Sequence, residues 1–198
     1  MSSGGQRVSG YPKEYMGQHR SVRVFSAIAL PAVVRDHLAG ALAMTGGTAG
    51  APWDPVENWH ITLGFYGEVP AARVEEISDA VAAVAARTPP FSLALAGAGT
   101  FRQDVCWIGV ADPDRVLPGL AAAVRADFAT SDQHAHNRFH VTISRSGRRA
   151  GLAGALAALA VYRGPTWTVD RLVVYRSDLG EGTAGHPLYT VLSEHPLG

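Results

Sequence analysis

The sequence predicts an α+β fold of two pseudo-symmetric lobes, each an antiparallel sheet with helices packed outside, around a central cleft. Strand-like and helix-like stretches alternate in a similar order in both halves of the chain. Each half also contains one strand with the pattern His-x-Thr-aliphatic, His60-Ile61-Thr62-Leu63 and His140-Val141-Thr142-Ile143. We therefore expect residues 21–198 to form a single bilobal domain, and residues 1–20, rich in glycine, serine and polar residues, to form a flexible leader.

The first half is predicted from apolar periodicity and from its glycines and prolines. The helix after the first motif is predicted from apolar residues at helical spacing, such as Val74, Ile77 and Val81. The predicted elements are a strand at 21–30, a helix from Pro31 to about Met44, a Gly-rich loop at 45–52, the first-motif strand at 59–66, a turn at 67–70 and a helix at 71–87.

The second half repeats this alternation of strands and helices. Asp112 or Asp114 is expected to cap its first helix, because a carboxylate can accept hydrogen bonds from the N–H groups of a first helical turn. The predicted elements are strands at 91–96 and 105–110 joined by a loop at 97–104, a helix at 115–128, the second-motif strand at 139–145, a helix at 152–159, and strands at 166–175 and 187–193.

The two motifs place the same chemistry on one face of each strand. Successive side chains of a strand point to opposite faces, so His60 and Thr62 share one face while Ile61 and Leu63 share the other. The second motif repeats this arrangement. If the two strands lie side by side or face each other, one groove holds two imidazoles and two hydroxyls.

Such a groove suits in-line displacement at phosphorus. One neutral imidazole takes a proton from the attacking water or hydroxyl, and the other, as imidazolium, protonates the leaving oxygen. Thr62 and Thr142 would hydrogen-bond the non-bridging oxygens, and Arg145, at the end of the second strand, would add a charge-assisted contact. This chemistry needs no metal or other cofactor.

The composition limits the possible partners. The 17 basic and 17 acidic residues give zero formal net charge, so no broad basic surface for long nucleic acids is expected, although a small anion or the end of an RNA remains compatible. No apolar run is long enough to span a bilayer, and the N-terminus lacks the hydrophobic segment of a signal peptide. We expect a cytoplasmic monomer without membrane partners.

Other histidines and aromatic residues admit further interpretations. His134, His136 and His140 form a spacing found in some zinc sites, but His134 and His136 lie in a polar loop, and zinc would leave the first motif unexplained. Trp53 and Phe101 are candidates for stacking on a nucleobase, whereas core packing is favoured for Trp59.

Four stretches of the chain resemble the two-histidine phosphoesterase superfamily in its LigT-like branch, the RNA 2′,3′-cyclic phosphodiesterases, historically called 2′-5′ RNA ligases. The resemblance extends over about residues 21–195. The stretches are RVFSAI at 23–28, ENWHITLGFYGE at 57–68, FHVTISR at 139–145 and RLVVYRS at 171–177.

The resemblance implies roles that the symmetry of the motifs alone leaves open. The family's general acid falls on His60, protonating the 3′ oxygen as the ring opens, and its general base falls on His140, activating water to give a 2′-phosphate. Thr62 and Thr142 match its phosphate-holding threonines, and Arg145 its arginine after the second motif. A 2′-5′ ligase activity, secondary to hydrolysis, is also implied.

The resemblance leaves the substrate open. The alternatives are another cyclic nucleotide, an ADP-ribose cyclic phosphate, or a module that binds RNA ends or nucleotides without turnover. Many relatives have a basic residue directly after the first motif, where this chain has Gly64, which predicts weaker phosphate or RNA contacts on that side.

Overall fold

The computed structural model describes residues 21–45, 53–102, 104–126, 128, 138–145 and 152–198. The predicted leader at 1–20 and all but the first residue of the predicted loop at 45–52 lie outside these residues. The strands are β1 (Ser21–Ala29), β2 (His60–Pro70), β3 (Phe91–Phe101), β4 (Val105–Ala111), β5 (His140–Ser144), β6 (Arg163–Val169), β7 (Arg171–Asp178) and β8 (Leu188–Pro196). The helices are α1 (Ala32–Met44), α2 (Val74–Ala85), α3 (Val116–Arg125) and α4 (Ala153–Leu159).

The strands form one antiparallel sheet in the order β6-β3-β4-β5-β2-β1-β7-β8. It divides into two four-stranded halves that meet where Ile61 of β2 pairs with Val141 of β5. We call β2, β1, β7 and β8 the His60 half, and β5, β4, β3 and β6 the His140 half. The His60 half combines strands from both ends of the domain, so the two lobes are not the two sequential halves of the chain.

Two helices cross from one half of the sheet to pack on the other half. α1 leaves β1 of the His60 half but packs on β6, and α4 packs on β3 of the same His140 half. α3 leaves β4 of the His140 half but packs on β2, next to α2, which covers β7 and β8. Each half is therefore covered by a helix whose preceding strand belongs to the other half. In the described part of the chain, no helix has the length and apolar character needed to cross a bilayer.

The core lies between the helices and one face of the sheet. The aliphatic residues of both motifs belong to it: Ile61, Val141 and Ile143 are 0% exposed and Leu63 is 3% exposed. Burying an aliphatic side chain of this size contributes about 1.5–3 kcal/mol to folding. This burial fixes the register of the motif strands, because a slip of one residue would exchange the aliphatic and polar faces.

Two glycines extend strands through predicted turns. Gly67 and Gly97 have φ of 73° and 70°, and each lies beside a register shift, so β2 continues through the predicted turn at 67–70 and β3 through most of the predicted loop at 97–104. Those two predictions were wrong because glycine at positive φ permits a bulge without ending the strand pairing. The predicted strand at 166–175 is two strands, β6 and β7, which are separated at Asp170.

The predicted cap of α3 is confirmed at one of its two candidates. The Asp112 carboxylate accepts hydrogen bonds from the backbone N–H groups of Val116 and Leu117, at 3.0 and 2.9 Å. These bonds satisfy two donors of the first helical turn.

Candidate active site

The pairing of β2 with β5 brings the two motifs together. Because Ile61 lies opposite Val141 in an antiparallel pair, His60 lies opposite Thr142 and Thr62 lies opposite His140. All four side chains project from the sheet face that lies away from the core helices, as the alternation of side chains predicts. Side chains directly opposite each other on neighbouring strands are about 5 Å apart at Cβ. Two imidazoles and two hydroxyls therefore share one groove.

Both imidazoles are held by the same backbone contact. The Nδ1 atom of His60 lies 2.7 Å from the carbonyl oxygen of Asn58, and Nδ1 of His140 lies 2.9 Å from that of Arg138. A carbonyl oxygen only accepts hydrogen bonds, so each Nδ1 carries the hydrogen. This leaves Nε2 of each neutral ring as the nitrogen that can take up a proton and release it again.

Aromatic side chains surround His60. Its ring centroid lies 4.8 Å from that of Phe25, 5.2 Å from that of Tyr189 and 6.2 Å from that of Tyr175. Burial lowers the pKa of His60 from 6.5 to about 4; the Asn58 carbonyl opposes this shift, and the nearby His140 adds to it. His60 is therefore neutral at pH 7 when the groove holds no anion.

Two aromatic rings flank His140. Its ring meets Phe101 edge-on at 4.9 Å and lies 6.4 Å from Trp107. The guanidinium of the exposed Arg138 lies 4.9 Å from the Trp107 ring centroid, in a cation–π contact. Phe101, predicted to stack on a nucleobase, thus lies beside the second imidazole.

The other predicted site residues lie in differing surroundings. Thr62 is exposed and Thr142 is half-buried, and Arg145, directly after β5, pairs with the buried Asp54. Trp53 is half-buried against the core, so its predicted contact with a nucleobase stays a prediction. Trp59, for which core packing is favoured, is 4% exposed.

Gly64 does not face the groove. A Cβ atom at this position would lie 3.1 Å from the Arg125 side chain of α3, 3.1 Å from the Ser26 hydroxyl oxygen and 3.3 Å from the Tyr66 hydroxyl oxygen. A side chain at position 64 would point toward the helices, and the expectation of weaker phosphate or RNA contacts on that side stays a prediction.

Sequence reasoning missed aromatic residues on both sides of the groove and the carboxylate beside Arg145. These residues are Phe25, Tyr175, Tyr189, Trp107 and Asp54. Phe25 lies on the same face of β1 as Ala27 and Ala29, which pair with Thr62 and His60 of β2. This pattern predicts a contact between Phe25 and the groove only when the pairing of β1 with β2 is known. Asp54 had no local signal, because it lies in an irregular segment next to a proline.

The zinc interpretation involves residues of which only one is described. His140 lies in β5, whereas His134 and His136 fall outside the described residues. Within the described ranges, no group of three metal-ligating side chains is present.

Comparison with known proteins identifies the family. Residues 28–107 match the family described as LigT like Phosphoesterase. The Escherichia coli RNA 2′,3′-cyclic phosphodiesterase is 36% identical over 133 residues, which cover 65% of this chain and 74% of that protein. The chain belongs to the LigT-like phosphoesterase family.

Further comparisons extend this family likeness to the fold. The Geobacillus stearothermophilus RNA 2′,3′-cyclic phosphodiesterase is 33% identical over 153 residues, 73% of this chain, and the chain spans 47% of that protein's length. The crystal structure of Escherichia coli LigT complexed with 3′-AMP has a TM-score of 0.70 and 28% identity, covering 90% of this chain and 99% of that chain. The predicted LigT-like α+β fold is confirmed.

Proposed function

We propose that this protein is a metal-independent phosphodiesterase that opens RNA 2′,3′-cyclic phosphates to 2′-phosphates. The observation that carries the proposal is the pair of identically oriented imidazoles on β2 and β5, each with Nδ1 on a backbone carbonyl. Relatives of the chain are named RNA 2′,3′-cyclic phosphodiesterases, and a LigT structure holds 3′-AMP. These names support the same substrate class for this chain.

The proposed reaction uses His140 as general base and His60 as general acid. Nε2 of His140 takes a proton from water, and the water oxygen forms a bond to phosphorus as the bond to the 3′ oxygen breaks. Nε2 of His60 donates its proton to the 3′ oxygen, which leaves a 3′ hydroxyl and a 2′-phosphate. Solvent then carries the proton from His140 back to His60.

The hydroxyls stabilise the phosphorane-like transition state, and the guanidinium binds the phosphate in both the ground state and the transition state. Thr62 and Thr142 donate hydrogen bonds to the non-bridging oxygens, on which negative charge grows during attack. Arg145 adds a charge-assisted contact to the same oxygens. Each of these groups is positioned by β2 or β5 or directly after β5, so the phosphate is held by the two strands that carry the imidazoles.

The acid role of His60 requires that its imidazole take up a proton when the substrate binds. Burial holds the pKa of His60 at about 4 in the free protein, whereas a general acid must be protonated at the working pH. A phosphodiester anion in the groove raises that pKa, because the anion favours the charged imidazolium. Binding is therefore coupled to the uptake of a proton by His60.

In-line geometry assigns the two sides of the groove. The attacking water and the leaving 3′ oxygen lie on opposite sides of phosphorus, so the ribose of the substrate lies toward His60 and the water toward His140. The aromatic residues around His60, with Trp53 as a further candidate, then face the nucleoside. Phe101 lies on the side of the attacking water. If the 5′ hydroxyl of a second RNA replaced this water as the nucleophile, attack on phosphorus would form a 2′-5′ linkage.

Phosphorus NMR tests the proposal directly. The protein is incubated in excess EDTA with a nucleoside 2′,3′-cyclic monophosphate and with a short RNA that ends in one, alongside the His60→Ala and His140→Ala variants. We expect only the 2′-phosphate from the wild type and loss of turnover in both variants. Activity that requires a divalent metal, or a His60→Ala variant close to the wild type, would contradict the mechanism.

The same assay separates the alternatives. Turnover of an ADP-ribose cyclic phosphate or another cyclic nucleotide, but of neither RNA substrate, would replace the substrate class. Saturable binding of a 2′-phosphorylated nucleotide without product over hours would indicate a binding module. Light scattering during size-exclusion chromatography tests the expected monomer, and the expected cytoplasmic location is tested by cell fractionation.

A further inference from the structure

We infer that the buried carboxylate of Asp54 is a positioning residue, which holds the Arg145 guanidinium at the His60 end of the groove for contact with the substrate phosphate. This inference rests on the proposed function, in which Arg145 contacts the phosphate. Asp54 lies outside both His-x-Thr motifs and does not itself touch the substrate in the proposed reaction.

The backbone of Asp54 joins the segments that carry the two motifs. Its N–H donates to the carbonyl oxygen of Ile143 in β5 at 2.8 Å, and its carbonyl oxygen accepts from the Trp59 indole N–H at 3.1 Å. Trp59 directly precedes His60, and Ile143 directly follows Thr142. Asp54 is therefore fixed to both motif strands at the end of the groove where His60 lies opposite Thr142.

The carboxylate of Asp54 is buried and paired with Arg145. The Asp54 side chain is 1% exposed, and its Oδ2 atom accepts a hydrogen bond from Nη1 of Arg145. Its Oδ1 atom has no hydrogen-bond partner among the described residues, and Nδ1 of His186 lies 3.7 Å away. Arg145 is thus the cation that is hydrogen-bonded to Asp54.

Stability alone does not account for this arrangement. Burying a carboxylate is unfavourable, and a well-packed apolar residue in place of a buried ion pair is often neutral or stabilising. A buried oxygen without a partner is a further unfavourable contribution. Buried polar groups with incomplete hydrogen bonding are often found at functional sites. This indicates that the Asp54 carboxylate positions Arg145 and does not mainly stabilise the core.

Arg145 combines a buried anchor with an accessible guanidinium. Its side chain is 42% exposed, although the carboxylate that holds it is buried. A guanidinium has five N–H donors, so pairing through Nη1 leaves donors for phosphate oxygens. Arg145 follows Thr142 by three residues, at the end of β5 that adjoins the start of β2. Because this side chain is fixed in advance, less rotamer entropy is lost when the phosphate binds.

A double-mutant cycle tests the inference. Asp54→Asn, Arg145→Gln and the double variant are titrated with inorganic phosphate and with 2′-AMP, and their turnover of the cyclic phosphate is measured. We expect Asp54→Asn to raise Kd and KM about tenfold, as for one lost charge-assisted contact, with kcat changed less than about threefold. In the Arg145→Gln background, Asp54→Asn should change Kd less than about twofold.

A matched control separates positioning from a general charge effect. Asp170→Asn removes a carboxylate that pairs with Arg171, and both of those side chains are more than half exposed. This variant should leave phosphate Kd and KM unchanged. If Asp54→Asn also leaves Kd unchanged, or raises it equally with and without Arg145, the inference is wrong.

A second measurement uses the wild-type protein, in case Asp54→Asn does not fold. NMR of the Arg145 guanidinium in the free protein should show slow rotation about its terminal bonds, because Nη1 is held by a buried carboxylate. Fast rotation, as in an exposed arginine, would overturn the inference. A protein that binds phosphate with the expected coupling but turns over no cyclic phosphate would refute the proposed function and still support the role of Asp54.

Discussion

The His60 and His140 halves of the groove share one backbone plan and differ in their side chains. In both halves, the histidine begins the innermost strand and directs Nδ1 to the carbonyl oxygen two residues earlier. The His60 ring, however, is enclosed by Phe25, Tyr175 and Tyr189, whereas Phe101 and Trp107 flank His140. The backbone therefore sets the same tautomer in both halves, and the side chains make the two environments different.

This difference bears on the acid and base roles of the two imidazoles. Environments that move the pKa values of paired titratable groups apart are a general way to assign acid and base roles. Here burial lowers the pKa of His60 to about 4 in the free protein, which by itself favours a base. The proposed acid role of His60 therefore depends on the proton that the imidazole gains when the anionic substrate binds. A perfectly symmetric groove would leave two equivalent imidazoles, and the direction of attack on phosphorus would be undefined.

The largest expected effect comes from removing either imidazole. His60→Ala and His140→Ala should each lower kcat/KM by about 10²–10⁴-fold, because each loses one proton transfer. The double variant should be little worse than the single variants, because an acid and a base that act in one step behave as a unit. Steady-state rates with a 2′,3′-cyclic nucleotide measure this, and losses that multiply in the double variant would show that the two histidines act independently.

The pH dependence of stability should single out His60. Its folded-state pKa of about 4 lies below the ordinary value of 6.5, so the unfolded chain binds more protons between these values. Stability is therefore complete above about pH 6.5 and falls as the pH drops toward 4, by about 3 kcal/mol from this residue. Urea unfolding at several pH values measures the decrease.

The matched variant for this measurement is His60→Gln, which removes the titrating group. Its unfolding free energy should fall less than that of the wild type between pH 6.5 and 4. Burial also lowers the pKa of His195, so part of the decrease should persist in the variant. Identical pH curves for the wild type and His60→Gln would contradict the lowered pKa.

The alternation of aliphatic and polar residues made the two motif strands predictable. Alternation along a strand is local, so the burial of Ile61 and Val141 follows from neighbouring residues alone. The strand ends at Gly67 and Gly97 were mispredicted, because a glycine that permits a bulge has the same sequence signal as a glycine in a turn.

The surroundings of the imidazoles were beyond local patterns. Tyr175 and Tyr189 reach His60 because β7 and β8 return more than a hundred residues later to pair beside β1. Asp54 meets Arg145 across 91 residues of sequence. A single sequence does not show which strands pair across such distances or in which register. The side chains that distinguish the two halves of the groove could therefore not be predicted.

The aromatic enclosure of His60 can be opened without touching the histidine. Tyr189→Ala removes a half-buried ring that lies 5.2 Å from His60 and should raise the pKa of His60 toward its ordinary value, because hydration favours the imidazolium. NMR titration of the imidazole measures the shift. Phe101→Ala, beside His140, is the control and should leave the His60 titration unchanged. Equal shifts in the pKa of His60 in both variants would contradict the claim that the aromatic residues around His60 set its pKa.

The smallest expected effect concerns the two threonines, which test whether the asymmetry extends to the phosphate oxygens. Thr62 lies opposite His140 and is exposed, whereas Thr142 lies opposite His60 and is half-buried. Thr62→Val and Thr142→Val should each lower kcat/KM by about fivefold to tenfold, as for the loss of one hydrogen bond of ordinary strength. The matched variants Thr62→Ser and Thr142→Ser keep the hydroxyl and should retain most activity. Equal losses would mean that the two non-bridging oxygens gain similar charge, so that only the imidazoles break the symmetry. A larger loss at Thr142 would extend the asymmetry to the oxygen nearer the leaving group, and full activity in both valine variants would exclude the threonines from phosphate binding.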